Sequence, residues 1–209
     1  MKDYALELHK LFNNLPRYNH TFDPNDIPKN GIYIFFEEGE KFGELDRIVR
    51  VGTHTGNNQL CSRIKQHLLA KNKDRSIFRK NIGRAILNGQ NDDYLTKWNY
   101  DLTSRKNKER YGSLIDAQRQ ELIEKEVTEY MQGHFTFVVF PVETKEERLE
   151  LETAIIATIK SSCPPSSNWL GNHSPIEKIC QSGLWLVLGL KVDPITEAQY
   201  NRLCELLGM

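Results

Sequence analysis

The sequence predicts an α+β fold in which helices cover a small, mainly antiparallel sheet of three strands. Three segments, at residues 31–36, 47–52 and 134–142, have the β-branched and aromatic composition of strands. The segments around them repeat apolar residues every three or four positions, as amphipathic helices do. The chain has 209 residues, so we expect residues 1–209 to form a single domain.

The first half of the chain alternates helical and strand patterns. Residues 4–15 have helical spacing, and Pro16 is expected to end that helix. The strands at 31–36 and 47–52 are separated by a polar stretch, so we expect an antiparallel hairpin with a long loop. Apolar residues recur every fourth position over 60–68, which predicts a helix.

The second half begins with two predicted helices, at 76–87 and 114–131. The strand at 134–142 is apolar on both faces, which is typical of an interior strand. A helix is expected over 145–160, where Thr144 and Glu147 have capping-box spacing. A short strand is expected at 184–188, within a C-terminal extension that spans 171–209.

The charge of the chain is balanced overall but unevenly distributed. There are 28 Lys and Arg residues against 28 Asp and Glu residues, which gives a formal net charge of zero. Residues 61–110, however, hold 13 basic and 5 acidic residues. Such a block is a candidate phosphate-binding face, although a solvated surface of two or three helices explains it equally well.

The cysteines and histidines indicate neither disulfides nor a zinc site. The four cysteines form no CxxC pair, and the six histidines form no HxxH or HxxxH motif. No segment approaches the about 20 apolar residues that span a bilayer, and the N-terminus has no apolar signal segment. We therefore expect a cytoplasmic protein with free thiols and no membrane partner.

Glu152 is the most informative polar residue. Positions three and four residues away on its predicted helix hold Leu149, Ile155 and Ile156, so the carboxylate should lie on or beside the buried face. A buried carboxylate needs a compensating partner. That partner is either a buried arginine, or a metal ion or substrate for which Glu152 acts as ligand or general acid–base.

Other polar residues give weaker signals individually. Arg63 and His67 lie one helical turn apart, which suits either a bound phosphate or a surface pair. Tyr33 faces the opposite side of its strand from Ile32 and Ile34, and such a tyrosine is usually a core residue. Asn168 lies in a loop after the Glu152 helix, where turn chemistry usually explains an asparagine.

The order of these features resembles the GIY-YIG nuclease family over residues 30–170. The features are Gly31-Ile32-Tyr33, a hairpin ending in Val51-Gly52, Arg63 with His67, the helical Glu152 and the later Asn168. The resemblance implies a three-stranded antiparallel sheet flanked by helices. It also implies an endonuclease that uses Mg²⁺ (or Mn²⁺) to hydrolyse phosphodiester bonds in DNA.

The resemblance assigns a role to each matching residue. It makes Glu152 the ligand of one divalent metal ion and Arg63 the contact to the scissile phosphate. Tyr33 would orient or deprotonate the attacking water, and His67 would form a hydrogen bond near Tyr33 or that water. Asn168 would help to shape the site.

The chain departs from the family pattern at the second tyrosine, where Arg50 stands. Arg50 could bind the phosphate instead, His54 could fill the gap, or the site could be weakened. In a regular strand Arg50 shares a face with Ile48, opposite Val49 and Val51. Pairing of Arg50 with a surface acid, Glu37 or Asp46, is the alternative that involves no chemistry.

A second departure is the length of residues 75–133, which we interpret as a helical insertion that contacts DNA, with helix 76–87 docked on the duplex. The candidate DNA contacts of this basic stretch are Lys71, Lys73, Arg75, Arg79, Lys80 and Arg84. Three alternatives to a restriction-like or homing-type enzyme stay open: a structure-specific repair or recombination nuclease, a DNA-binding protein with weakened catalysis, and a protein whose Glu152 is merely salt-bridged. A double-strand break by one site per chain requires a homodimer or two sequential nicks.

Overall fold

The computed structural model describes residues 2–190 and 192–209. A three-stranded antiparallel sheet lies at its centre, formed by β1 (Gly31–Phe42), β2 (Leu45–Gly52) and β3 (Phe135–Pro141) in the order β2-β1-β3. Helices pack on the sheet, and the predicted α+β class is confirmed.

The helices α1 to α9 are, in chain order, Tyr4–Asn13, Leu60–Leu68, Ile77–Gly89, Leu95–Trp98, Arg105–Tyr111, Ala117–His134, Lys145–Ile159, Glu177–Ser182 and Glu197–Leu206. Several begin where a side chain accepts a hydrogen bond from the first turn. Asp3 caps α1, Ser76 caps α3 and Thr144 caps α7. Within the described residues, no helix has both the length and the apolar character needed to cross a bilayer.

The two faces of the sheet bury separate clusters of apolar residues. On one face Ile34 and its strand neighbours pack with α1, α7 and α9. On the other face Phe35 packs with α2, α3 and α6. The predicted insertion at 75–133 therefore contributes three helices, α3, α4 and α6, to the core that supports Tyr33 and Phe35.

Three expectations about strands are wrong. Strand β1 continues to Phe42, and Gly43, with φ +59°, forms a tight turn where a long loop was expected. Strand β3 is an edge of the sheet, and its two apolar faces reflect the helices on both sides. Residues 184–188 form no strand, although the Trp185 N–H donates to the Val49 carbonyl at the free edge of β2 (2.8 Å).

Candidate active site

A cavity of about 330 Å³ brings polar side chains from five elements together. The residues are Tyr33 of β1, Arg50 of β2, Arg63 of α2, Asn81 of α3 and Glu152 of α7. Its size lies at the lower end of the range for ligand sites, about 300 to 1,000 Å³. Convergence of residues this distant in sequence is what a chemical site requires. We call this cavity the cleft.

A neighbouring cavity is larger, about 540 Å³, but it contains none of the predicted site residues. It is lined by Lys160, Lys178 and the apolar segment that includes Leu188. The two cavities share that segment as a common wall. We therefore place the candidate active site in the smaller cavity, where the polar side chains converge.

Gly52 makes room for the Tyr33 ring. The two residues are paired across β1 and β2, and a Cβ atom on Gly52 would lie 2.2 Å from the Tyr33 hydroxyl oxygen. Any larger residue would displace the phenol. The glycine of the Val51-Gly52 motif thus fixes where the Tyr33 hydroxyl lies.

His67 is fully buried beneath Tyr33. Its Nε2 lies 2.9 Å from the Tyr33 hydroxyl oxygen, and its Nδ1 lies 2.7 Å from Ser76 Oγ. Burial, reinforced by the nearby charges of Arg50, Arg63 and Arg79, lowers the pKa of His67 well below 6.5. The ring is therefore neutral at pH 7.

The contacts of Ser76 determine the tautomer of that neutral ring. Ser76 Oγ already accepts the backbone N–H of Arg79 at 3.2 Å. The only further acceptor that the described residues offer to its hydroxyl proton is His67 Nδ1. His67 then carries its proton on Nε2 and donates to the Tyr33 oxygen. The proton of Tyr33 itself is left free to point toward the cleft.

Arg50 lies on the Tyr33 face of the sheet because the register from Gly52, paired with Tyr33, to Arg50 is regular, and a β-bulge beyond Arg50 puts Ile48 on the other face. Arg50 is paired with Phe35, but Phe36 is paired with Ile48, so one extra residue is inserted in β2. The expectation that Arg50 shares a face with Ile48 is wrong. The guanidinium carbon lies 4.7 Å from the Phe78 ring centroid, and Nη1 donates to the backbone carbonyl of Trp185.

Neither of the surface acids considered for Arg50 is its partner. Asp46 pairs with Lys41 and Arg17. Glu37 is buried, and its carboxylate accepts hydrogen bonds from Trp169 Nε1, Trp185 Nε1 and the Tyr130 hydroxyl. Those bonds hold Trp185 in place, and Trp185 in turn supports Arg50.

Glu152 is largely buried at the cleft. Its Oε1 accepts the backbone N–H of Thr53 at 3.1 Å, which ties α7 to the end of β2. Burial raises the pKa of Glu152, and the charges of Arg50 and Arg63 and the Thr53 N–H partly offset that rise. Among the described residues, Oε2 has no hydrogen-bond partner, which leaves it available to a ligand.

Arg63 lies between the cleft and the protein surface. It is half-buried, and its Nη1 donates to Gln66 Oε1 and to the Arg75 carbonyl, both at 3.0 Å. These bonds hold one edge of the guanidinium. The charge of Arg63 acts on both Glu152 and His67, which places it among the groups of the cleft.

The structure does not bring His54 and Asn168 into the cleft. His54 Nε2 accepts the Gly31 N–H at 3.3 Å and Nδ1 donates to the Gly56 carbonyl at 2.6 Å, so both ring nitrogens hold the loop after β2. Asn168 is exposed and lines a separate hollow beside Gly39. The structure thus places Asn168 away from the cleft, and it places His54 in a neighbouring hollow that Arg63 also lines.

Three of the six basic residues predicted to contact DNA are buried. Arg79 is inaccessible and pairs with Glu124 at 2.8 Å. Lys73 and Lys80 pair with Asp74 and donate to the Tyr100 carbonyl. These side chains are already engaged by structural partners, which leaves them little surface with which to contact DNA.

The other three basic residues of the stretch differ in exposure. Lys71 and Arg75 are exposed. Arg84 is half-buried, and its guanidinium donates to Asn99 Oδ1 and Asn81 Oδ1. Only Lys71 and Arg75 thus remain free to contact a phosphate backbone.

Two residues of the site went unrecognised in the sequence. Asn81 lines the cleft from α3, and Ser76 orients His67. A signal for Asn81 exists, because it is a polar residue next to Phe78, Ile82 and Ala85, apolar residues that α3 buries. Serine is a common residue at a helix N-cap, so nothing in the sequence indicates the contact of Ser76 with His67.

A family model described as GIY-YIG domain matches residues 4–202, nearly the whole chain. The chain has no significant match among curated proteins or among solved structures.

Proposed function

The chain belongs to the GIY-YIG nuclease family, and from this premise we propose that it is a divalent-metal-dependent endonuclease that hydrolyses phosphodiester bonds in DNA. One observation carries the proposal: Tyr33, Arg63 and Glu152, the residues to which the family pattern gives chemical roles, line one cleft from three different elements. A core histidine, His67, supports the first of them.

Glu152 fits the role of metal ligand. Mg²⁺ prefers oxygen donors, keeps several waters and is commonly held by one or two carboxylates with substrate phosphates. The cleft offers one carboxylate, and among the described residues there is no cluster of three acidic, histidine or cysteine side chains elsewhere that could hold a metal. A bound Mg²⁺ or Mn²⁺ would supply charge stabilisation to the leaving oxygen and the pentacovalent phosphate.

Arg63 and Arg50 supply positive charge to the scissile phosphate from side chains of the protein. Both guanidinium groups line the cleft, and neither is neutralised by a salt bridge within the described residues. A guanidinium matches the geometry of phosphate oxygens and stabilises charge that develops on them. Arg50 thus replaces the second family tyrosine with a phosphate contact.

Tyr33 would position the attacking water. The Nε2–H of His67 donates to the Tyr33 oxygen, so the hydroxyl proton of Tyr33 is free to point toward the cleft. Tyr33 can therefore hold the water by a hydrogen bond.

The exposed helix α5 is the best candidate for the contact with the DNA backbone. Four of its seven residues are basic and exposed: Arg105, Lys106, Lys108 and Arg110. The segment before α5 is fixed to the basic stretch, since the Leu102 N–H donates to Asp74 Oδ2. Arg75 links this surface to the cleft, because its carbonyl accepts from Arg63. Phosphate contacts of this kind give affinity without sequence readout.

Supercoiled plasmid incubated with the purified protein tests the proposal. We expect nicking or linearisation with Mg²⁺ or Mn²⁺ and none with EDTA. Discrete fragments from linear DNA would indicate a restriction-like enzyme, whereas cleavage confined to flaps or junctions would indicate a structure-specific one. Salt-dependent binding without cleavage, with either ion, would contradict the proposal and favour a DNA-binding protein that has lost catalysis.

A further inference from the structure

Asn81 is a buried amide whose orientation is fixed. Its side chain is 1% exposed and lines the cleft from α3. The amide oxygen accepts from Arg84 Nη1 at 2.8 Å, and Arg84 Nε is held by Asn99 Oδ1 at 2.7 Å. Because arginine has only donors, the amide atom that meets it is the oxygen. The nitrogen, Nδ2, is therefore the other end of the group.

Within the part of the chain that the structure describes, Asn81 Nδ2 has no hydrogen-bond partner. Arg50 Nε, a second donor in the residues that line the cleft, is also buried without a partner. A buried donor without an acceptor is costly to a fold and calls for an explanation. Two such donors in one cleft are explained if the acceptor arrives with the substrate.

We propose that Asn81 Nδ2 donates a hydrogen bond to a nonbridging oxygen of the scissile phosphate, beside Arg50 Nε. This role rests on the proposed nuclease function and adds a substrate-contacting residue to it. A phosphate fits better than an apolar group, because Arg50, Arg63 and Glu152 make the same cleft polar and charged. The neutral amide stabilises the phosphate oxygen without adding to the charge of the two arginines.

Two replacements of Asn81 remove the proposed donor in different ways. Asn81→Asp keeps the size of the side chain and the oxygen that accepts from Arg84, but it replaces the donor with a second carboxylate oxygen and adds a negative charge. A second variant, Asn81→Ser, removes the amide donor without adding a charge, so slower cleavage by both variants separates the lost hydrogen bond from charge repulsion and from any effect of a new buried carboxylate on the fold. Asn88→Asp is the matched control, because it is the same change on the same helix at an exposed position whose amide bonds to His173 outside the cleft.

Single-turnover cleavage at saturating DNA and Mg²⁺, with DNA binding measured in parallel, gives the result. We expect both Asn81 variants to cleave about 10- to 100-fold more slowly than wild type. Their melting temperatures should stay near that of wild type, and Asn88→Asp should cleave at the wild-type rate.

Two results would overturn the inference. Folded Asn81 variants that cleave at the wild-type rate, or that lose only affinity for DNA, would show that Nδ2 does not contact the reacting phosphate. An inactive wild-type protein would instead remove the proposed function on which the inference depends, so the two failures can be told apart.

Discussion

Arg50 occupies the position at which this chain departs from its family, and its pairing with Phe35 places it on the Tyr33 face of the sheet, at the cleft. If it contacts the scissile phosphate, Arg50→Ala should lower the single-turnover cleavage rate by about 100-fold, equivalent to about 2.7 kcal/mol at the transition state. Arg50→Tyr should recover part of the loss. Arg202→Ala, an exposed arginine on α9 that pairs with Glu147 and Glu205, is the control.

If Arg50→Ala cleaves DNA at the wild-type rate while the single variants Tyr33→Phe and Arg63→Ala are inactive, Arg50 takes no part in the reaction. His54 is then no substitute, since both of its ring nitrogens hold the loop after β2.

The tautomer of His67 is a second prediction at the residue scale. The hydrogen bond from Ser76 to Nδ1 predicts a neutral ring protonated on Nε2 at pH 7. Nitrogen NMR shifts of the His67 ring report this directly. Ser76→Ala should lose the preference of His67 for the Nε2–H tautomer and should cleave more slowly. Ser76→Thr keeps both the hydroxyl and the helix cap, so it should keep the wild-type tautomer and cleavage rate. An Nδ1–H tautomer in the wild-type protein would contradict the proposed donation to Tyr33.

At the scale of elements, the strand and helix patterns were largely readable from local sequence. Strand ends and neighbours were not, because pairing partners lie far apart in the chain. The bulge beside Arg50 is set by pairing between β1 and β2, so the regular alternation of a strand gave the wrong face. The partner of Arg79 is Glu124, on α6, and nothing in the local sequence reveals it.

The basic helix α5 gives a prediction for DNA binding. Replacing Lys106, Lys108 and Arg110 with glutamate should weaken binding to all sequences alike. The slope of log affinity against log salt should fall by about 0.9 for each DNA phosphate that the variant no longer neutralises. Titration of a labelled duplex at several salt concentrations measures it. An unchanged slope in the triple variant would show that α5 is a solvated surface that does not contact DNA.

Arg79 is a buried arginine, so its replacement should affect stability, in contrast to the exposed basic residues of α5. Arg79→Ala leaves the Glu124 carboxylate in the core without its partner, so it should cost about 3 to 5 kcal/mol of stability. Urea unfolding measures this loss. A stable Arg79→Ala protein with weakened DNA binding would restore the interpretation of Arg79 as a DNA contact.

For the whole molecule, buried histidines predict a loss of stability in acid. Burial lowers the pKa of His9 to about 4, and it also lowers those of His54 and His67. The unfolded chain binds these protons from about pH 6.5 downward, so stability is complete above that pH and is lost as the pH falls toward 4. Glu37 and Glu152, whose pKa values are raised, oppose this trend.

His9→Gln isolates one contribution to this pH dependence. The wild-type ring uses Nδ1 to bond the Ala5 carbonyl and Nε2 to accept the Ile48 N–H. Between pH 7.5 and pH 5, the wild-type protein should lose about 2 kcal/mol more unfolding free energy than the variant does. Urea unfolding at both pH values gives the difference, and equal losses in the two proteins would show that His9 does not titrate as described.

At the same scale, the family pattern was sufficient to identify the sheet and four residues of the cleft, Tyr33, Arg50, Arg63 and Glu152. It misplaced Asn168, because a loop after α7 has no sequence signal for its direction. It also missed Asn81, since the cleft is closed by a helix from the segment that was interpreted as an appended insertion.

The most direct test of the account compares Glu152→Gln with Glu146→Gln in Mg²⁺-dependent plasmid cleavage. Both changes remove one carboxylate charge from α7, but Glu152 is buried at the cleft and Glu146 is exposed. We predict that Glu152→Gln stays folded and binds DNA yet does not cleave, while Glu146→Gln cleaves like the wild-type protein. Substantial cleavage by a folded Glu152→Gln protein would contradict the assignment of Glu152 as the metal ligand and of the cleft as the active site.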